Sequence, residues 1–179
     1  MNYYAIQVKT GEENRFIKNF KTTYPEVGFP LYFPQRYLDI RKRGRVNSAT
    51  ASVFPGYVFV EAANDAEITA SQWKFRNSRG FFRFLKSNQE IIPLSSRDLE
   101  IVFHFIKNYP IAGKSRVYFN ENSRIVVVDG PLLGLEGRII KVDKRKGRAK
   151  IKLDLYEDSF SIDLSFEVIG SMEPAAGNG

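Results

Sequence analysis

Between positions 138 and 152 the chain places Arg138, Lys141, Lys144, Arg145, Lys146, Arg148, Lys150 and Lys152 against a single acid, Asp143. If this stretch turns back on itself near Lys146-Gly147, then Arg148, Lys150 and Lys152 fall on one side of the returning strand. Ala149, Ile151 and Leu153 fall on the other. One side can enter a core while the other tracks a phosphate backbone. With five such groups on phosphates, log K should fall against log salt with a slope of about −3 to −4 for single strands. The same lysines also suit a solvated edge protected from aggregation. Residue pattern alone leaves both readings open.

Other arrangements that could carry chemistry resolve into structural roles. Asn108-Tyr109-Pro110-Ile111-Ala112-Gly113-Lys114-Ser115 resembles the end of a phosphate-binding loop, but Asn108 stands where the first glycine is required and no strand precedes it. Gly130, Gly134 and Gly137 have the spacing of turns rather than of a dinucleotide fingerprint. His104 is the only histidine and flanks an apolar helical stripe, which suits packing or surface placement rather than metal or acid–base work. Glu12-Glu13 and Glu157-Asp158 fit a helix start and a turn. No catalytic residues, no metal site and no cofactor are expected, so the chain is read as a binding protein.

At 179 residues and 43% hydrophobic, the chain can bury one ordinary core or two small ones. The net charge of +7 favours a polyanionic partner. The absence of cysteine excludes disulfides, thiolate nucleophiles and cysteine zinc sites, and suits a reducing compartment. Met1 to Ile6 has no basic segment followed by an apolar run, and no run approaches the ~20 residues of a spanning helix. A cytoplasmic protein without a membrane partner, and a monomer, is expected.

The elements that would position the basic stretch come in two grammars. Tyr3 to Val8 reads as a strand, followed by a helix that Thr10 and Glu13 could open as a capping box and that carries Phe16, Ile17 and Phe20. Leu31 to Ile40 has strand spacing, with Pro34 hinting at an edge or bulge, and Arg41-Lys42-Arg43-Gly44-Arg45 reads as a basic hairpin tip. Val53 to Val60 is the strongest strand signal and is apolar on both faces. Tyr57 and Phe59 share one face, Val58 and Val60 the other. Either the chain's own helices cover both faces, or the aromatic face is offered to a partner. Asp65 to Arg76 reads as a helix anchored by Ile68 and Trp73, Phe81 to Leu85 as a short strand, and Ser95 as the cap of a helix carrying Leu99, Val102, Phe103 and Ile106.

Beyond position 122, Arg124 to Val128, Leu135 to Asp143, Arg148 to Leu153 and Phe160 to Leu164 are short β-branched runs separated by turn residues, the pattern of a small barrel. The expected organisation is an N-terminal α+β sandwich with an antiparallel sheet over residues 1–108, a linker over 109–122, a small all-β barrel over 123–172 and a disordered tail over 173–179. Residues 1–109 carry 16 basic and 10 acidic side chains, residues 110–179 carry 11 and 10, so the linear split assigns most of the excess charge to the N-terminal part.

Ordered motifs in both parts resemble the NusG family of transcription elongation factors. Tyr3-Tyr4-Ala5-Ile6-Gln7-Val8, the following Gly11-Glu12, Phe54-Pro55-Gly56-Tyr57-Val58-Phe59-Val60, Arg79-Gly80 and Ile92-Pro93-Leu94-Ser95 resemble its NGN domain. Val126-Val127-Val128-Asp129-Gly130-Pro131, Gly134-Leu135-Glu136-Gly137 and Val142-Asp143 resemble its KOW domain, an SH3-like barrel. The resemblance implies a non-enzymatic factor that docks on the clamp helices of RNA polymerase and disfavours pausing and termination. Carried over by position, Gln7, Tyr57 and Phe59 would form the polymerase surface, with Phe54 and Phe84 as further members. Lys9, Arg76, Ser78 and Arg79 match positions that contact non-template DNA in specialised members.

The chain departs from the general pattern at Tyr156 to Leu164, where general members carry the run that helps engage Rho and the ribosome; that coupling stays open. Val142 to Ile151 instead resembles the basic hairpin of the LoaP-like antitermination branch, which implies contact with a nascent RNA hairpin through Lys141, Lys144, Arg145, Lys146, Arg148 and Lys150. The alternatives are a general NusG coupling polymerase to Rho or the ribosome, and a KOW-type ribosomal or assembly protein that binds RNA.

Overall fold

A nearly continuous buried run, Tyr3 to Ile6 with Val8, makes β1 (Asn2–Val8) an inner strand of a four-stranded sheet in the computed structural model, which describes residues 1–42, 45–85, 90–156 and 158–170. β1 runs antiparallel to β5 (Tyr57–Ala62) and β6 (Phe81–Phe84), and β2 (Leu31–Tyr32) lies outside β5, giving the order β2-β5-β1-β6. Tyr4, Ile6, Val8, Val58 and Val60 meet α1 (Glu13–Thr23) and α2 (Asp65–Arg76), which contribute Phe16, Phe20, Ile68 and Phe75. Phe20 and Phe75 stack with centroids 4.2 Å apart. Across the sheet, α3 (Ser96–Phe103) and the π-helical turn His104–Asn108 bring Phe103 edge-on to Tyr3 at 4.6 Å. The Phe54 ring stands 5.1 Å from Phe59 and 5.8 Å from Phe105. Helices therefore line both sides of β5, as a strand apolar on both faces requires.

Local chemistry departs from the sequence pattern at two helices. α1 starts two residues later than a Thr10 cap would place it: Glu12 is the N-cap and its side chain makes no capping hydrogen bond. The buried Glu13 carboxylate instead accepts the Gly56 N–H at 2.7 Å, tying the helix to the turn before β5. Gly56 has φ +83°, and a Cβ there would lie 2.8 Å from Thr10 Oγ1, so the turn needs glycine. Glu13→Ala would leave a buried donor without its acceptor and is expected to cost about 1–3 kcal/mol in denaturant unfolding. Unchanged stability would show that this bond holds nothing in place. In α2, Ile68 is buried but Trp73 is 51% exposed, packed on Tyr24 and beneath the Lys74 ammonium. Phe75 takes the buried place because it falls seven residues after Ile68, on the same face, whereas Trp73 falls five after it. α3 is capped as expected, Ser95 Oγ accepting the Asp98 N–H.

The compact units are residues 1–35 with 52–110, and 36–51 with 111–179. This differs from the sequence-based boundaries in two ways. The stretch read as a linker contains β7 (Ile111–Ala112) and β8 (Ser115–Phe119), and the hairpin β3 (Gln35–Lys42) and β4 (Arg45–Ser52) belongs largely to the second unit. The expected hairpin tip at Arg43-Gly44 and the tail at 173–179 lie outside the described residues.

Within the second unit, β9 (Ile125–Asp129), β10 (Ile139–Asp143), β11 (Arg148–Leu155) and β12 (Asp158–Val168) join β8 in the order β10-β11-β12-β8-β9. The β8–β12 pair is parallel, with Ser115 opposite Phe166. Ala149, Ile151, Leu153 and Leu155 point inward with Ile162, Leu164 and Phe166. Gly147 turns β10 into β11 with φ +61°; a Cβ there would stand 2.6 Å from the Phe166 carbonyl oxygen, and the Phe166 N–H donates to Gly147 O at 2.8 Å. The β4-β3-β7 sheet is fixed to the barrel through backbone carbonyls. Arg36 Nη1 donates to Asp163 O at 3.0 Å, Ser165 Oγ to Tyr37 O at 3.2 Å, and Arg148 Nη2 to Asp39 O. Lys114 pairs with the Asp39 carboxylate at 2.8 Å.

This partition moves charge. Assigning residues 36–51 to the second unit gives it 16 basic and 11 acidic side chains, net +5, and leaves the first with 11 and 9, net +2. The excess positive charge belongs to the barrel unit.

Candidate nucleic-acid interface

β11 alternates as its residues dictate. Arg148, Lys150 and Lys152 lie on the outer side and Ala149, Ile151 and Leu153 on the inner. In the ladder, Lys141 of β10 stands opposite Lys150, which stands opposite Asp163 of β12, while Asp143 stands opposite Arg148. These four cations and two carboxylates, less Lys152 and with Lys146 from the turn, line a cleft of about 130 Å³. Asp143 is held charged: the Lys146 backbone N–H donates to it at 2.9 Å, and together with nearby Lys146, Arg145 and Lys141 this lowers its pKa below the ordinary aspartate value. It thereby fixes the turn that presents Lys144 and Arg145, both exposed.

The six sequence-identified barrel cations are not equivalent. Lys141, Arg145 and Lys146 are exposed and Lys150 half-buried, the first, third and fourth sharing the cleft. Lys144 Nζ sits 3.9 Å from the Phe119 ring centroid. Arg148 also lines the cleft, but its guanidinium is engaged with the Asp39 carbonyl, which makes it an anchor of β3 as much as a ligand group.

In the first unit, Lys9, Arg15 and Arg79 gather around Glu12 in a shallow depression with Phe16, Asn19 and Gly80. Lys9 Nζ lies 2.6 Å and Arg15 Nη1 3.7 Å from the Glu12 carboxylate. The Lys9 hydrogen bond, followed by the charges of Lys9, Arg15 and Arg79, lowers the pKa of Glu12. A phosphate entering here would compete with a carboxylate already in place. Arg76 is exposed at the end of α2 and does not line the depression. Ser78 closes that helix, its Oγ donating to Lys74 O at 2.8 Å.

The aromatic residues expected on a polymerase-facing surface are buried: Phe54 0%, Tyr57 4%, Phe59 0% and Phe84 0% exposed. An open aromatic face is corrected to a covered one, because Phe54 fills the space between Phe59 and Phe105. Phe84 is on the other side of the sheet, packed edge-on to Phe75 at 5.7 Å among the α1 and α2 residues. Gln7 alone is half-buried; it stands opposite Tyr57 and accepts a hydrogen bond from Arg83 Nε at 2.8 Å. The segment compared with a phosphate-binding loop leads into β8, where Ser115 Oγ accepts the Leu132 N–H at 2.9 Å.

The family model described as "Transcription termination factor nusG" matches residues 1–103. The chain belongs to the NusG family. The "Transcription termination/antitermination protein NusG" of Thermus thermophilus is 21% identical, over 94% of this chain and 97% of the relative. That of Bacillus subtilis is 24% identical, over 96% and 98%. A solved structure of Thermotoga maritima NusG covers 92% of this chain and 93% of its own at 16% identity and a TM-score of 0.47. Within this NusG-family chain, Arg15 and Asn19 were missed from the basic site of the first unit. Their only sequence signal is the helical spacing of Arg15 from Glu12 and of Asn19 from Arg15. The anchoring of β3 by Arg36 and Arg148 has no local signal, since its acceptors are main-chain carbonyls more than a hundred positions away.

Proposed function

We propose that this NusG-family protein is a transcription elongation and antitermination factor that associates with RNA polymerase through its first unit and contacts the nascent transcript through its barrel unit. The observation that carries the second half is the outer face of β10 and β11, where Lys141, Lys146 and Lys150 share one cleft on the unit that holds most of the net charge. Polymerase association rests on family membership. The Gln7–Arg83 pair is the solvent-reached part of the face expected to meet the clamp helices, with Phe54, Tyr57 and Phe59 shaping it from beneath. Of the residues matched to non-template DNA contacts, Lys9 and Arg79 would act together with Arg15, with Glu12 as their internal competitor, and Arg76 and Ser78 from outside that depression. The mechanism is a bias on polymerase, with no covalent step. The basic β10–β11 hairpin supports the specialised branch over a general one.

In a reconstituted transcription assay with an intrinsic terminator, the full chain is expected to associate with polymerase and raise readthrough. Lys141→Gln/Lys146→Gln/Lys150→Gln should keep the association and lose the transcript-dependent part of the gain. Absence of polymerase association overturns the proposal. A second reading is a general factor coupling polymerase to Rho or the ribosome, in line with relatives named for termination as well as antitermination. Direct binding of the full chain to either, with no effect on an intrinsic terminator, would select it.

A further inference from the structure

Two carboxylates line the cleft whose cations suit phosphates, and the structure gives them different tasks. Asp143 accepts the Lys146 N–H at 2.9 Å, lies 3.9 Å from Lys146 Nζ and fixes the turn. Asp163 does neither. Its main-chain oxygen accepts from Arg36 Nη1 at 3.0 Å, but among the described residues no hydrogen bond or ion pair reaches its carboxylate. The surroundings of this half-buried acid are cationic. Asp163 stands opposite Lys150 in the ladder, Lys150 stands opposite Lys141, and Arg148 lies on the same outer side of β11. Burial lowers the pKa of Arg36, while Asp163 raises it and Arg148 lowers it, so these charges act on one another. A cross-strand ion pair with Lys150 would be the ordinary account of such an acid. Among the described residues that pair does not form.

An ionised carboxylate can only accept hydrogen bonds. Against a phosphate it repels, whereas against a hydroxyl or amino group it gains a charge-assisted bond. An open carboxylate beside Lys150 and Lys141 therefore fits a ligand that brings a donor close to its phosphate. Neighbouring strands lie ~4.8 Å apart, which puts Asp163 one strand from Lys150 and two from Lys141. At such a distance from a held phosphate lies the sugar, with the amino groups of the bases beyond it. RNA carries a donor on that sugar, the 2′-hydroxyl, and DNA does not.

We infer that Asp163 is a specificity-determining residue of this cleft, accepting a ribose 2′-hydroxyl and thereby selecting RNA over DNA, while Lys141, Lys146 and Lys150 hold phosphates without regard to the sugar. The inference rests on the proposed contact between the barrel unit and the transcript, and adds the group that tells the two nucleic acids apart. Asp163 weakens binding of any polyanion, and the hydroxyl offsets that loss for RNA alone.

The test uses the full chain and three hairpins of one sequence: RNA, the same RNA with 2′-O-methyl sugars, and DNA. The methylated hairpin keeps the phosphates and the RNA-like helix but has no donor, and the DNA hairpin lacks the oxygen altogether. Affinities near 0.15 M salt and melting temperatures are measured for wild type, Asp163→Ala, Asp163→Asn and Lys141→Gln/Lys146→Gln/Lys150→Gln. Wild type should prefer RNA to the methylated hairpin by at least about tenfold, the weight of one hydrogen bond to a charged group. Asp163→Ala should bring that ratio close to one, by weakening RNA and strengthening the other two; protein and sugar changes together form a double-mutant cycle. Asp163→Asn keeps the shape and a neutral acceptor, so its ratio should fall in between, and it decides the matter if the Ala variant melts lower. The lysine variant should lose affinity for all three hairpins and keep its preference for RNA. A wild type without preference, or Asp163 variants that bind all three hairpins more tightly at an unchanged ratio, would overturn the inference and leave Asp163 a repulsive group. Unchanged RNA affinity in the lysine variant would overturn instead the reading of the cleft as a transcript site.

Discussion

Phe59→Ala is expected to destabilise the first unit by about 3–5 kcal/mol, the cost of removing a fully buried aromatic ring from a core. Phe59 is 0% exposed, and its contact with Phe54, itself against Phe105, closes the side of the sheet opposite α1 and α2. The cavity left by Ala would open between β5 and the π-helical turn, where packing is ring edge on ring face and cannot collapse without moving Phe54. Tyr57, 4% exposed and opposite Gln7 in the ladder, should respond in the same direction. Equilibrium denaturation reads the effect directly. A Phe59→Ala protein as stable as wild type but unable to associate with polymerase would place this ring on a contact surface instead of in the core.

Burial of this ring selects one of the two readings that the alternation along β5 allows. Period-two alternation identified the two faces of β5 and of β11, because side-chain alternation follows from strand geometry alone. It could not say what covers the aromatic face of β5. The covering residues, Phe103 and Phe105, come from a helix and turn some forty positions later whose packing partner no local pattern specifies. Ser95 was legible as a cap because the cap and the N–H that donates to it are three residues apart. Thr10 was misleading because the nearby Glu13 is used by a distant donor, Gly56. β8 is masked locally by Pro110, Gly113 and its mixed polarity, although it pairs with the neighbouring β9 as well as with the parallel β12 about fifty positions away. The same kind of non-local bonding, through Arg36, Ser165 and Arg148, carries the basic β3–β4 hairpin into the barrel unit and reverses the distribution of charge read along the chain.

The second large effect concerns that charge. Replacing Lys141, Lys146 and Lys150 together by Gln is expected to weaken binding of a stem-loop RNA by about two orders of magnitude near 0.15 M salt, from counterion release at three phosphates. The three side chains are exposed or half-buried and line one cleft, so their loss should leave stability within about 0.5 kcal/mol. Lys9, Arg15 and Arg79 also cluster, but each sits near the Glu12 carboxylate, and their unit carries only +2 against +5 for the barrel unit. Their removal should therefore matter much less for RNA.

The most direct measurement is the dependence of stem-loop RNA affinity on salt concentration for wild type, for the Lys141/Lys146/Lys150 variant and for Lys9→Gln/Arg15→Gln/Arg79→Gln. The expected result is a log–log slope whose magnitude falls by about 2 to 3 in the barrel variant and stays near wild type in the other. A slope unchanged in the barrel variant, or reduced only when Lys9, Arg15 and Arg79 are removed, would contradict the placement of the RNA-binding surface on the barrel unit.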